Sequence, residues 1–226
     1  MAIILNIETA TEIGSVCVSN GENVLAEKVG SSAFSHAKET TQMIQDCLAI
    51  AELTMDDLVA VAVSKGPGSY TSLRIGTSIA KGICYAKDIP LIGVDTLQSM
   101  AMASAKVAEG AIYVPMIDAR RMEVYTAFFD GKGNSLKETH ALILEENTFE
   151  KQLNAANFIV FSGNGAEKLT KVKESYQFVF TDIRCAARHL IPLSTQAFHQ
   201  QNFESVAYFE PDYLKPPNIT TPKKVL

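Results

Sequence analysis

Apolar residues recur along this chain at two spacings, and the spacings separate strands from helices. Near the N-terminus the run IILNI stops at Glu8, a second strand-like run covers Ser15 to Ser19, and the turn NGEN begins at Asn20. From Tyr113 the run YVPMI stops at Asp118, another run covers Val124 to Phe129, and the turn DGKGN begins at Asp130. Glu8 to Gly21 and Asp118 to Gly131 are each 13 residues, so both features repeat at an offset of 110. Each half then carries a later apolar strand that ends in a glycine loop and a helix: Leu58 to Val63 before KGPGS, and Phe158 to Phe161 before SGNGAEKL. A duplicated unit of this kind predicts a two-lobed α/β protein.

Helical spacing fills the intervals. His36 to Ala51 places Met43, Ile44, Cys47, Leu48 and Ala51 on one face, with Ser35 available as a cap. Asp95 precedes a second apolar helix (Leu97, Met100, Ala101, Ser104), and Gln98 three residues later makes a capping-box variant. A shift in composition at Lys106 to Gly110 marks the boundary between lobes. Signals weaken after residue 194, and Lys215, Pro216, Pro217 and Pro222 mark a tail that is extended or disordered. The expected division is an N-terminal lobe over 1–108, a C-terminal lobe over 109–210 and a tail over 211–226.

The stretch from Ser64 to Ile83, SKGPGSYTSLRIGTSIAKGI, runs from a strand through a glycine-rich bend into a helix. Gly66 and Gly68 can take backbone angles closed to other residues, Pro67 stiffens the bend, and Ser69 is placed to cap the helix. Free amides at such a helix start can hold an anion. The residues match neither common cradle: Thr71 and Ser72 stand where a Walker A loop needs Gly and Lys, and Thr71 stands at the third glycine of GxGxxG. A tight structural turn is therefore preferred to a phosphate cradle. Along the helix, Ser72, Gly76 and Ala80 form a smooth ridge, with Leu73, Ile75, Ile79 and Ile83 as apolar bulk and Arg74 among them. Such a ridge packs either inside the chain's own core or against another subunit.

Composition limits the chemistry. The 226 residues are 47% hydrophobic, enough for a substantial core. A net charge of −5 argues against wrapping nucleic acid unaided. Four cysteines (Cys17, Cys47, Cys84, Cys185) with no CxxC read as reduced, buried thiols, and with no basic leader in MAIILNIETAT the expected location is cytoplasmic. No stretch approaches the roughly 20 apolar residues of a membrane helix. His36, His140, His189 and His199 form no HExxH or HxxxH pair, so no metal site is expected. Ser69 lies in GPGSYTS rather than in a GxSxG elbow. Glu8 and Asp118 end paired strands, where they either bond turn amides or hold a metal-nucleotide; with Thr9, Gly163, Asn164 and Gly165 they are the nucleotide-binding candidates. The first of these roles is preferred.

The blocks ILNIETAT, KGPGSYTSLRIG, AKGI, DARRMEVY and EPDYLK, in this order and over nearly the whole chain, resemble the TsaB family, also called YeaZ. Tyr70 replaces the usual Phe, Ser72 and Met122 the usual Gly, and Lys215 the usual Arg. The resemblance implies a duplicated actin-like (ASKHA, ribonuclease H-like) fold and a role in making threonylcarbamoyladenosine beside the anticodon of tRNAs that read codons beginning with A. It implies a non-catalytic scaffold or activator whose partner TsaD performs the transfer, with the ATPase TsaE in a larger complex and a homodimer when the chain is alone. ATP or ADP then enters only at the level of the complex, and tRNA is met only through the partner. The interface helix would be Ser72, Leu73, Arg74, Ile75, Gly76, Ile79, Ala80 and Ile83. TsaD carries an HxxxH metal pair after a similar loop and helix; those positions fall here at Thr96 and Met100, and neither can replace a neutral imidazole. An independent actin-like ATPase or small-molecule kinase is the alternative, and a peptidase a weaker one.

Overall fold

The computed structural model describes residues 2–31, 36–105, 107–108, 110–145, 148–149, 158–171 and 178–215. Its first sheet contains β1 (Ile3–Glu8), β2 (Ser15–Asn20), β3 (Asn23–Val29), β4 (Ala60–Gly66) and β5 (Leu91–Asp95), in the order β3-β2-β1-β4-β5. The second contains β6 (Ile112–Asp118), β7 (Glu123–Phe129), β8 (Ser135–Ile143), β9 (Ile159–Ser162) and β10 (Phe178–Phe180), in the order β10-β9-β6-β7-β8. In each sheet the first three strands pair antiparallel and the last two join parallel beside the first. The duplication read from the sequence is thus a repeat of one topology, and the two lobes are those of an actin-like α/β fold.

Among the described residues four α-helices cover the sheets: α1 (His36–Ile50), α2 (Tyr70–Lys87), α3 (Thr96–Ser104) and α4 (Ala187–His199). On one face of the first sheet, Leu5, Ile7, Val61 and Val63 meet Ile44, Cys47 and Leu48 of α1 and Ala80 and Cys84 of α2. On the other face, Ile4, Ala60, Ala62 and Ile92 meet Leu190 of α4. The central strands are therefore apolar on both sides, which is why β4 reads as a continuous run rather than an alternation. Helix α3 carries Leu97, Met100 and Ala101 onto Tyr113, Ile117 and Val160 of the second sheet.

Helix α4 follows the second lobe in sequence but is anchored on the first. Ser15 Oγ accepts from Ala187 N at 2.8 Å, Arg188 pairs with Glu27 at 2.8 Å, Ser194 Oγ donates to Asn6 Oδ1 at 2.7 Å, and Thr195 Oγ1 donates to Gly21 O at 3.1 Å. A division at residue 210 therefore does not follow the packing, because the chain returns to the first sheet at Ala187. Beyond α4 the chain bridges the edge of β5 (Leu91 with Glu204), buries Phe209 against the core and passes under Lys81, whose Nζ donates to Ala207 O and Phe209 O, each at 3.1 Å. Residues 211–215, expected as an extended or disordered tail, are extended and docked: Asp212 N donates to Lys65 O at 2.7 Å. The rest of that tail lies outside the described residues.

Asn6 is fully buried on β1, and Ser194 and Ser19 are its side-chain partners. Ser194→Ala leaves Asn6 Oδ1 without its hydroxyl donor and is expected to lower stability by about 1–3 kcal/mol. Urea unfolding checks this as a lower midpoint with an unchanged slope.

Candidate functional site

The glycine loop between β4 and α2 is built for close approach of backbone to backbone. A side chain at Gly68 would lie 2.4 Å from Ala10 O, and Ser69 N donates to that same carbonyl at 2.7 Å. Gly66, at φ 112°, has no room for a side chain beside Asp212 O, and the bond from Gly66 to Pro67 is cis. Ser69 caps α2, accepting from Ser72 N at 3.4 Å and Ser72 Oγ at 2.9 Å. The amide nearest the loop is thus engaged by Ala10, and the loop is a tight turn that fixes α2 against the β1–β2 connection.

The same constraint corrects the expected ridge. Ser72, Leu73, Gly76 and Ala80 are buried in the chain's own core. A side chain at Gly76 would strike Thr9 Oγ1 at 2.3 Å, so this glycine serves an internal crossing. Of the expected interface residues, Arg74 is exposed and Ile75, Ile79 and Ile83 are half-buried, Ile79 and Ile83 packing in part against the core of the first sheet. Thr71, Ile75 and Ile79 repeat every four residues one position before the ridge, and with Tyr70, Arg74, Ser78 and Ala37 of α1 they line an open groove of about 460 Å³. Tyr70, Thr71 and Ser78 were missed by reading smallness as the signal; the offset stripe of Thr and Ile was available. At the rim, the Arg74 guanidinium lies 4.6 Å from the Tyr70 ring centre and its Nε donates to Tyr213 Oη at 3.1 Å, while the two tyrosine rings meet at a 39° tilt with centres 4.6 Å apart.

The nucleotide-binding candidates do not assemble a cradle. Glu8 is fully buried; its Oε1 accepts from Ala10 N at 2.6 Å and its Oε2 has no partner among the described residues. Burial pushes its carboxyl up to about 7, against the opposing pull of Ala10 N, Ser64 and Thr9. Thr9 N donates to Ser64 Oγ at 3.2 Å. Asp118, by contrast, is exposed and accepts from Lys168 Nζ at 2.7 Å and Arg120 N at 2.6 Å. Asn164 Oδ1 accepts from Asp118 N at 3.0 Å. The Gly163–Gly165 loop lies against β6: Gly163 N donates to Ile183 O and Gly165 N to Met116 O, and a side chain at Gly163 would lie 2.5 Å from the Met100 methyl. Thr96 and Met100 are fully buried, and Cys185 Sγ is 3.3 Å from Met100 Sδ. These residues do not form a phosphate cradle as they stand, because Gly163 N and Gly165 N already have backbone acceptors and the Asp118 carboxylate is paired with Lys168. Among the described residues no group of three His, Cys, Asp or Glu side chains could hold a metal ion. No helix among them is long and apolar enough to cross a membrane.

One strained feature lies at the β6–β7 hairpin. Arg120 and Arg121 both take left-handed backbone angles, φ 72° and 50°, in a turn closed by Ala119 N to Glu123 O and Glu123 N to Arg120 O. Each costs on the order of 1 kcal/mol relative to Gly or Asn. The doublet belongs to the DARR block but carries no distinctive spacing, so sequence reasoning gave it no role.

Two sheets of one topology, each with a hairpin and a later strand that ends in a glycine loop, define a two-lobed protein of the actin-like class. The activator of the 2-hydroxyisocaproyl-CoA dehydratase from Clostridium difficile with bound ADPNP shares this fold, with a TM-score of 0.52 at 11% identity over 90% of this chain and 98% of that one. The structure of YeaZ from Pseudomonas aeruginosa is similar at a TM-score of 0.79 and 22% identity, over 95% of this chain and all of that one. The family model described as TsaD: tRNA N6-adenosine threonylcarbamoyltransferase matches residues 23–224. The tRNA threonylcarbamoyladenosine biosynthesis protein TsaB of Escherichia coli (strain K12) is 31% identical over 218 residues, 94% of each chain. The same-named protein of Bacillus subtilis (strain 168) is 32% identical over 135 residues, 60% of this chain and 58% of that one. The chain therefore belongs to the threonylcarbamoyltransferase-related family of that model and, within it, to the TsaB (YeaZ) family of tRNA threonylcarbamoyladenosine biosynthesis.

Glu8 gives a pH dependence. Below about pH 4.5 the carboxyl is protonated in both folded and unfolded chains and is neutral to stability; between there and about 7 the unfolded chain ionises first, so stability falls as pH rises. Glu8→Gln keeps an acceptor for Ala10 N and removes the charge. It is expected to leave stability near pH 5 little changed and to raise it at pH 8 by up to about 3 kcal/mol, read as a pH-dependent gap between the two urea midpoints.

Proposed function

We propose that this chain is a non-catalytic subunit that supports a TsaD-type transferase by docking on it through the outer face of α2 and the start of α1. The observation that carries the reading is the groove along Thr71, Ile75, Ser78 and Ile79, which leaves two isoleucines half-exposed beside Tyr70 and Arg74. Apolar side chains at helical spacing, rimmed by an aromatic and an arginine, have the composition of a protein interface centre. In the isolated chain a second copy would meet the same face, which gives the homodimer. TsaE, the ATPase of the system, would join only the assembled complex, and ATP or ADP would act there.

Independent ATPase or kinase activity is disfavoured by the acceptors already held by Gly163 N and Gly165 N and by the Lys168 ammonium on Asp118. A peptidase reading finds no support either, since neither a metal-holding group nor a GxSxG elbow occurs among the described residues.

Ile75→Glu with Ile79→Glu is expected to weaken association with the TsaD homologue of the same organism by at least about 100-fold, since two carboxylates would be desolvated in an apolar contact. Size-exclusion chromatography with light scattering reads this as loss of the species at the summed mass, while the variant keeps a cooperative thermal transition. Association at wild-type strength would overturn the docking face. ATP hydrolysis by the purified wild-type chain, abolished by Glu8→Ala, would favour the enzyme reading instead.

A further inference from the structure

The β6–β7 turn holds two guanidiniums with no use inside the chain. The side chains of Arg120 and Arg121 are exposed and make no hydrogen bond, ion pair or ring contact among the described residues. Their backbone angles suit Gly or Asn, so local folding does not select arginine at either position. The flanking acids would ordinarily neutralise them. Asp118 and Glu123 bracket the doublet, yet each is held by a lysine from elsewhere: Lys168 Nζ lies 2.7 Å from Asp118 Oδ1 and donates also to Glu123 O at 2.8 Å, and Lys215 from the C-terminal segment pairs with Glu123. Both flanking carboxylates are therefore occupied by lysines, and neither arginine has an acid partner among the described residues, in a chain whose net charge is −5.

We infer that the Arg120–Arg121 turn is a contact site for the phosphodiester backbone of RNA. A guanidinium fork matches phosphate oxygens in a two-point geometry that lysine cannot reproduce. Two such groups on adjacent exposed residues suit a polymer offering successive phosphates, and a chain of tRNA threonylcarbamoyladenosine biosynthesis works beside one. The lysines at Asp118 and Glu123 keep both acids from repelling it. Contrary to the expectation that tRNA is met only through the partner, this chain would touch the substrate directly, at a site that does not depend on base sequence. The inference rests on the proposed place beside a TsaD-type transferase.

The test replaces the doublet with the residues the turn prefers, Arg120→Asn with Arg121→Gly, and compares it with Arg120→Lys with Arg121→Lys. Unmodified tRNA is titrated by fluorescence anisotropy into the chain with its TsaD homologue and into the chain alone, at several salt concentrations. The Asn-Gly variant is expected to melt about 2–5 °C higher, because strain is relieved. It is also expected to bind tRNA about 10-fold more weakly, with the slope of log affinity against log salt reduced by about 2, while the lysine pair retains most of the slope. Unchanged affinity and slope in the Asn-Gly variant would overturn the inference. So would loss of TsaD association by that variant, which would assign the pair to the partner protein, or competition by millimolar inorganic phosphate as effective as competition by RNA, which would assign it to a small anion. If the wild-type chain and its TsaD homologue form no complex, the docking reading fails while the comparison on the chain alone still decides the role of the arginines.

Discussion

The loop before α2 and α2 itself each close on the segment that follows β1, and each contact requires a residue without a side chain. Gly68 lies on Ala10 and Gly76 on Thr9, at separations that would place a methyl group within 2.4 Å of an oxygen in both cases. This crossing fixes the rotation of α2 about its axis. With Ser72, Gly76 and Ala80 turned to the sheet, Thr71, Ile75 and Ile79 are obliged to face outward. The interaction face is thus a consequence of the internal packing, about 100° around the helix from the small residues that make the packing close. Overpacking at either glycine would disturb the groove by displacing the helix that carries it.

The two lobes share a topology but differ in what fills the space between them. In an actin-like fold the hairpins and glycine loops of both halves converge on one cleft. Here several of the corresponding polar groups among the described residues are engaged within the chain or buried. Lys168 supplies the positive charge at Asp118, Met116 O and Ile183 O take the Gly165 and Gly163 amides of the second glycine loop, and the Met100 side chain packs beneath Gly163 in the core. Glu8 remains buried with one oxygen unpartnered, and its raised proton affinity follows from that desolvation. A relative that had kept a metal pair at Thr96 and Met100 would present imidazoles in this space; a threonine and a thioether close it.

Much of the fold was legible because the repeated strands are buried on both faces, which leaves uninterrupted apolar runs at β1, β4, β6 and β9. The third strand of each half was not. In β3 (NVLAEKV) only Ala26 is buried, and β8 (SLKETHALI) has no buried residue, so neither carries an alternation strong enough to separate it from a loop. The place of α4 was equally hidden. Its partners Asn6, Ser15 and Gly21 lie more than 160 residues earlier, and pairing at that range leaves no local trace. At the candidate site, Gly66, Gly68 and Ser69 were read correctly as a turn and cap. The error lay in taking small residues on α2 as a sign of an outside partner, when smallness reports close approach without saying which surface approaches.

The C-terminal segment ties these features into one body. After Phe209 it runs past the glycine loop, where Asp212 bonds Lys65 through its backbone and forms an ion pair with it at 3.6 Å, and then reaches Glu123 of the second lobe through Lys215. Between those anchors Tyr213 packs at a tilt against Tyr70 and its Oη accepts from Arg74 Nε at the rim of the groove. Ion pairs this exposed contribute little individually. Their value here is positional, since one short segment touches the loop that sets α2, the residue that borders the groove and the acid that flanks the arginine turn. A change in the angle between the lobes would have to stretch this segment or release Tyr213. The groove along α2 is therefore linked through the covalent chain to the lobe that carries Arg120 and Arg121.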